Sequence, residues 1–99
     1  MPVTILDWKA IERNTLRGFA KVKLGALVIF DVALHTKNGT SWAQLPAKPQ
    51  ITREGTVRTN ADGKAQYTPI LEWDNRDSAN RFSASVVAAI NEAHPGAIE

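Results

Sequence analysis

Ninety-nine residues, 43% of them hydrophobic and 22% charged, suffice for one core and are too apolar for wholesale disorder. The absence of cysteine excludes disulfides, thiolate zinc sites and cysteine nucleophiles. Net charge is +2 but uneven: residues 1–66 carry ten Lys/Arg against five Asp/Glu, and residues 67–99 carry two against five. Such asymmetry suits a polyanion partner for the first part, and equally a solvated surface.

The opening Met1-Pro2-Val3-Thr4 has no basic stretch followed by an apolar one, so it does not read as a signal peptide. No apolar run approaches the roughly 18 residues of a membrane span. These features, with the lack of cysteine, predict a cytoplasmic protein with no membrane partner.

From Val3 to Arg13, Leu6, Trp8 and Ala10 alternate with Asp7 and Lys9, which predicts a strand, although Ile5, Trp8 and Glu12 also fit helical spacing. Asn14-Thr15 reads as a turn. The alternation over Leu16–Leu24 then predicts a strand with Leu16, Ala20, Val22 and Leu24 on one face and Arg17, Phe19, Lys21 and Lys23 on the other. Gly25-Ala26 turns the chain into Leu27–Thr36, nearly continuous in apolar residues and expected to be a central strand. Asn38-Gly39 fits the positive φ angles of a type I′ hairpin turn, with Ser41–Leu45 as the return strand.

Pro46 to Gln66 is a long polar connection carrying Lys48, Arg53, Arg58 and Lys64 against Glu54 and Asp62. A loop of this length is expected to be functional or disordered, with Asn60-Ala61-Asp62-Gly63 marking a turn that allows a hairpin arm. Tyr67–Trp73 is predicted as a strand placed at a sheet edge by Pro69. Asp74-Asn75 offers an N-cap and Asp77 complements the helix dipole. Ala79, Phe82, Val86, Ile90 and Ala93 then form one apolar helical stripe, stopped at His94-Pro95-Gly96. The expected fold is α+β, an antiparallel sheet of four to five strands followed by one C-terminal helix, in a single domain over residues 1–99. The central strand is apolar on both faces, and one helix covers only one of them, so a homodimer is expected.

The chemistry-bearing residues do not point to catalysis. His35 and His94 lack metal-ligand spacing, no glycine-rich phosphate loop is present, and Ser78, Ser83 and Ser85 have no nucleophile-elbow pattern. No enzyme activity, metal or cofactor is expected. The strand of Arg17, Phe19, Lys21 and Lys23 is the informative feature. Side chains two apart on one face stand about 6.6 Å apart, a spacing on which cations can follow a phosphate backbone while an aromatic stacks a base. Trp42, Tyr67 and Trp73 on other strands extend the platform. Lys48, Arg53, Arg58 and Lys64 are expected to be phosphate-contacting arms, mobile without ligand. Trp8, Phe30 and Phe82 are assigned to the core.

The segment Asp31-Val32-Ala33-Leu34-His35-Thr36-Lys37-Asn38-Gly39-Thr40-Ser41-Trp42-Ala43-Gln44-Leu45-Pro46-Ala47-Lys48 resembles the bacterial septation protein SpoVG family. There a strand with Asp-Val or Asp-Ile leads through an Asn-Gly hairpin to a strand ending in Met-Pro-Ser-Lys, whose place Leu45-Pro46-Ala47-Lys48 takes here. The order of elements agrees over roughly residues 4–92. The departures are a longer Gln50–Gln66 insertion, a helix with only Arg76 and Arg81, and no basic tail. The element order also resembles the single-strand-binding domain of the transcriptional coactivator positive cofactor four, on topology alone. Both resemblances imply a small dimeric nucleic-acid-binding protein of bacterial or phage type, acting in transcription, replication or recombination. The leading expectation is binding of single-stranded DNA with little sequence preference. RNA, duplex DNA at a specific site as a SpoVG-like regulator, and a protein-interaction module with no nucleic-acid role are the alternatives.

Overall fold

The computed structural model describes residues 1–99. Four strands, β1 (Thr4–Arg13), β2 (Leu16–Leu24), β3 (Leu27–Lys37) and β4 (Thr40–Gln44), form an antiparallel meander in the order β1-β2-β3-β4. Helix α1 (Arg76–Ala93) lies across one face, and the α+β class follows directly. Consecutive strands pair because the turns between them are short. Each is two residues long, and the one between β3 and β4 places Asn38 at φ 52° and Gly39 at φ 78°, as a type I′ turn demands.

Alternation puts Ala20 and Val22 of β2, and Ile29, Val32 and Leu34 of β3, on the face that meets Phe82, Val86 and Ile90 of the helix. Ile98, beyond the helix, completes this core, and the buried Thr36 hydroxyl bonds the Ile98 carbonyl and Ser41 Oγ. The expected helical stripe holds at its centre, but Ala93 is exposed. Asn75 is the N-cap, accepting from the Ser78 amide at 2.8 Å, and His94 is the C-cap.

The register breaks at four points, and each break moves side chains between faces. In β2 the pairing steps from Leu16↔His35 to Gly18↔Leu34, leaving Arg17 as the extra residue. In β3 it steps from Ile29↔Val22 to Val32↔Ala20, with Asp31 at φ 57°. In β1 the breaks fall at Leu6 and at Ile11–Glu12.

The long connection is folded. Strands β5 (Ala47–Pro49) and β6 (Tyr67–Pro69) form a second, two-stranded sheet, extended by bridges Ile51↔Val57 and Thr59↔Ala65. Three backbone bonds close a ring, Gln50 N to Gln66 O, Arg58 N to Gln50 O and Gln66 N to Arg58 O, at 2.8, 2.8 and 2.9 Å. Two tight turns project from it, one at Thr52–Thr56 and one at Asn60–Lys64, where Asn60 Oδ1 accepts from the Asp62 and Lys64 amides. The strand expected over Tyr67–Trp73 is thus shorter and pairs with this ribbon, not with the main sheet. Pro46 interrupts the chain after β4, and Pro49 and Pro69 lack the N–H that further pairing requires.

Candidate nucleic-acid interface

The face of the main sheet opposite the helix carries no second layer. It holds a groove of about 860 Å³ whose floor and walls include Ile11, Leu16, Phe19, Phe30, Ala33 and, from the ribbon side, Tyr67. Asp7, Lys9, Lys21, Asp31 and His35 supply its charged and titratable groups. Phe19 faces Lys9 across β1–β2, and Lys21 faces Asp7. Lys21 also reaches back over Phe30, its Nζ 4.8 Å from the ring centroid. Lys23 stands two residues further along the same face, exposed between Thr4 and Val28.

Phe30 was expected in the core and is 60% exposed on this open face. The Asp31 bulge causes the difference: with one extra residue between Ile29 and Val32, both of those face the helix and Phe30 faces away. Phe82 is buried and Trp8 half-buried against the core, as expected.

Arg17 does not share the face of Phe19, Lys21 and Lys23. The β2 bulge turns it toward the helix side, where its guanidinium donates to the Asn14 carbonyl at 2.8 Å and to the Glu99 carbonyl at 3.4 Å. Leu16 takes its place on the groove side, again the reverse of the simple alternation.

Trp42 lies opposite His35 across β3–β4, on the groove's face, with ring centroids 5.4 Å apart and planes 9° from parallel. His35 Nδ1 is 2.9 Å from Thr15 Oγ1. Burial holds the His35 pKa below its usual value, and the adjacent Gln44 side chain acts more weakly in the opposite sense. Tyr67 is 58% exposed at the groove wall. Trp73 is elsewhere: its ring packs 5.3 Å from Phe82, beside the start of the helix, so it belongs with the core and not with the platform. Its indole N–H is buried without a partner.

Of the connection's cations, Lys48 and Arg58 line a concavity on the ribbon, whereas Arg53 and Lys64 sit at its two turns. Sequence reasoning missed Lys9, Phe30 and His35 at the groove. Lys9 was legible from its alternation with Trp8. Phe30 and His35 were not, because their faces depend on the bulge and on cross-strand register.

No helix is long and apolar enough to cross a membrane, and no three His, Asp or Glu side chains gather as a metal site would require. No family model, curated protein or solved structure matches the chain.

Proposed function

We propose that this chain is a nucleic-acid-binding protein, not an enzyme, that takes single-stranded DNA in the groove on the open face of its sheet and acts as a homodimer. The observation that supports this most is an uncovered sheet face on which Phe19, Phe30 and Trp42 stand among Lys9, Lys21 and Lys23, with Tyr67 on the ribbon at the groove wall. Cations along such a surface attract the phosphate backbone, and exposed aromatic faces offer stacking that any unpaired base can use. Lys21 already covers the Phe30 ring. A base stacking there displaces a cation–π contact of about 0.5–1 kcal/mol in exposed settings, less than the roughly 1–3 kcal/mol that stacking returns. The displaced ammonium is then free to meet the adjacent phosphate. The resemblances to the SpoVG family and to the positive cofactor four domain point to the same ligand class.

A second reading is a protein-interaction module. It is favoured by Asp7 and Asp31 in the groove, which oppose a polyanion, and by Ile70, 62% exposed at the groove's edge.

Fluorescence titration with labelled oligo-dT at two salt concentrations separates the readings. Phe30→Ala is expected to weaken binding by about 1–3 kcal/mol at both salt concentrations, because stacking releases no counterions. Lys21→Ala should lose most affinity at low salt. Phe30 is exposed, so the variant's melting curve should match that of the parent. A folded Phe30→Ala protein with unchanged affinity would remove the stacking claim, and a parent with no affinity for the oligonucleotide would favour the protein-interaction module.

A further inference from the structure

The ribbon formed by β5 and β6 has two unlike faces. Its register is Ala47↔Pro69, Lys48↔Thr68 and Pro49↔Tyr67. Successive side chains point to opposite sides of a strand. Ala47 and Tyr67 therefore line the groove, while Lys48 and Thr68 point to the back. On that back side a concavity of about 520 Å³ collects Lys48, Gln50, Arg58 and Thr68, with Pro49 and Ile51 completing its lining.

Lys48 and Arg58 are ten positions apart in sequence and belong to different segments. They line the same concavity because of the ring of backbone bonds linking Gln50, Arg58 and Gln66. Two exposed cations lining one concavity repel weakly through solvent, and an anion between them turns that repulsion into attraction. None is supplied by this chain. The one ion pair in the molecule is Arg81–Asp77 on the helix, and no carboxylate lines the Lys48–Arg58 concavity. The other three large concavities all contain a carboxylate: Asp7 and Asp31 in the groove, Glu99 beside Arg17, and Glu72 and Asp74 near the helix start. The donors here suit phosphate oxygens. Arg and Lys supply charge-assisted hydrogen bonds, and a threonine hydroxyl and a glutamine amide supply neutral ones.

We propose that Lys48 and Arg58, with Gln50 and Thr68, form a phosphate-binding site on the back of the ribbon, which a single strand lying in the groove reaches by passing round the ribbon's edge. The assignment rests on the nucleic-acid reading of the groove and adds to it a path and a minimum length. A short strand fills the groove alone. A longer one gains two further phosphate contacts only after rounding the ribbon.

The test compares oligo-dT of about 4 and about 20 nucleotides, spanning the range of single-strand site sizes, on the parent, on Lys48→Ala/Arg58→Ala and on Phe30→Ala. For the long oligonucleotide, the double variant should show a salt slope shallower by about 1.4, the value for two lost single-strand contacts. Its affinity for the short one should equal the parent's, whereas Phe30→Ala should weaken both. Inorganic phosphate at constant ionic strength should lower the parent's affinity for the long oligonucleotide to that of the double variant and no further. Both cations are exposed, so the double variant should melt with the parent. A double variant with a parental slope at both lengths overturns the site and leaves the groove reading standing. Equal losses at both lengths overturn the path round the ribbon. Phosphate binding without oligonucleotide binding overturns the strand assignment in favour of a free-anion site, and a parent that binds neither probe removes the groove reading as well.

Discussion

Gly18 carries a constraint that no other glycine in the chain has. A Cβ built on it would fall 2.5 Å from the Lys9 carbonyl oxygen and 2.6 Å from the Trp8 ring. The carbonyl belongs to the β1–β2 ladder and cannot retreat without breaking it. Gly18→Ala should therefore cost about 1–3 kcal/mol, the usual range for overpacking. On a domain of this size each kcal/mol lowers Tm by about 4–8 °C. A melting curve by circular dichroism checks this, and an unchanged midpoint would mean that Trp8 does not lie over Gly18. His35 offers a second residue-scale test. Its pKa is lowered from 6.5 in the folded protein, chiefly by burial, so the unfolded chain binds its proton more readily. Its contribution to stability is therefore complete above 6.5 and is lost as pH falls through the folded-state value. Comparing melting midpoints on either side of that window should show a smaller acid-side loss for His35→Gln than for the parent. Equal losses would exclude His35 as the source.

Elements of regular period were legible in the sequence, and their irregularities were not. The alternation of β2 from Phe19 to Leu24, the Asn38-Gly39 turn, the Asn75 cap and the Phe82, Val86 and Ile90 stripe each rest on local chemistry, and each lies where it was expected. Bulges are different. An extra residue at Arg17 or Asp31 is a compromise between two strands, and a one-residue slip exchanges the faces of everything beside it. Asp31 gives a faint local signal, since aspartate adopts positive φ more readily than most residues. That is too little to place Phe30 on the open face. The ribbon was half legible for a similar reason. Its turn residues are visible in the sequence, but turn chemistry does not say which segments pair, so the concavity shared by Lys48 and Arg58 had no sequence signal. The structure thus places Phe19, Lys21 and Lys23 on one face of β2 as the alternation predicts, turns Arg17 and Trp73 away from that face, and adds Phe30, Lys9 and His35 to it.

At the scale of the molecule, the chain exposes more surface than its mass requires. A compact monomer of 10.8 kDa exposes about 5,500 Å², against 6927 Å² here. The radius of gyration is 14.4 Å, against about 13 Å for a compact domain of this length. The ribbon accounts for much of the elongation. The excess, about 1,400 Å², exceeds the roughly 800 Å² that each partner contributes to a standard interface. The outward face of the helix is not suited to such a contact, since Asp77, Arg81, Asn91 and Glu92 are exposed along it. The exposed large apolar side chains outside the groove are Leu6, Leu27 and Val28 on the sheet and the bridged pair Ile51 and Val57 on the ribbon. A homodimer centred on Val57, which lines neither the groove nor the Lys48–Arg58 concavity, leaves both open for a strand. Light scattering at micromolar concentration should then give about twice the monomer mass. Val57→Asp should return the protein to 10.8 kDa without lowering the monomer's helix content, because Val57 is 46% exposed and outside the core. A parent that scatters as a monomer would refute the homodimer. A Val57→Asp protein that remains dimeric would exclude the ribbon from the contact and shift it to Leu6 and Leu27, or to the groove itself, where it would compete with the strand.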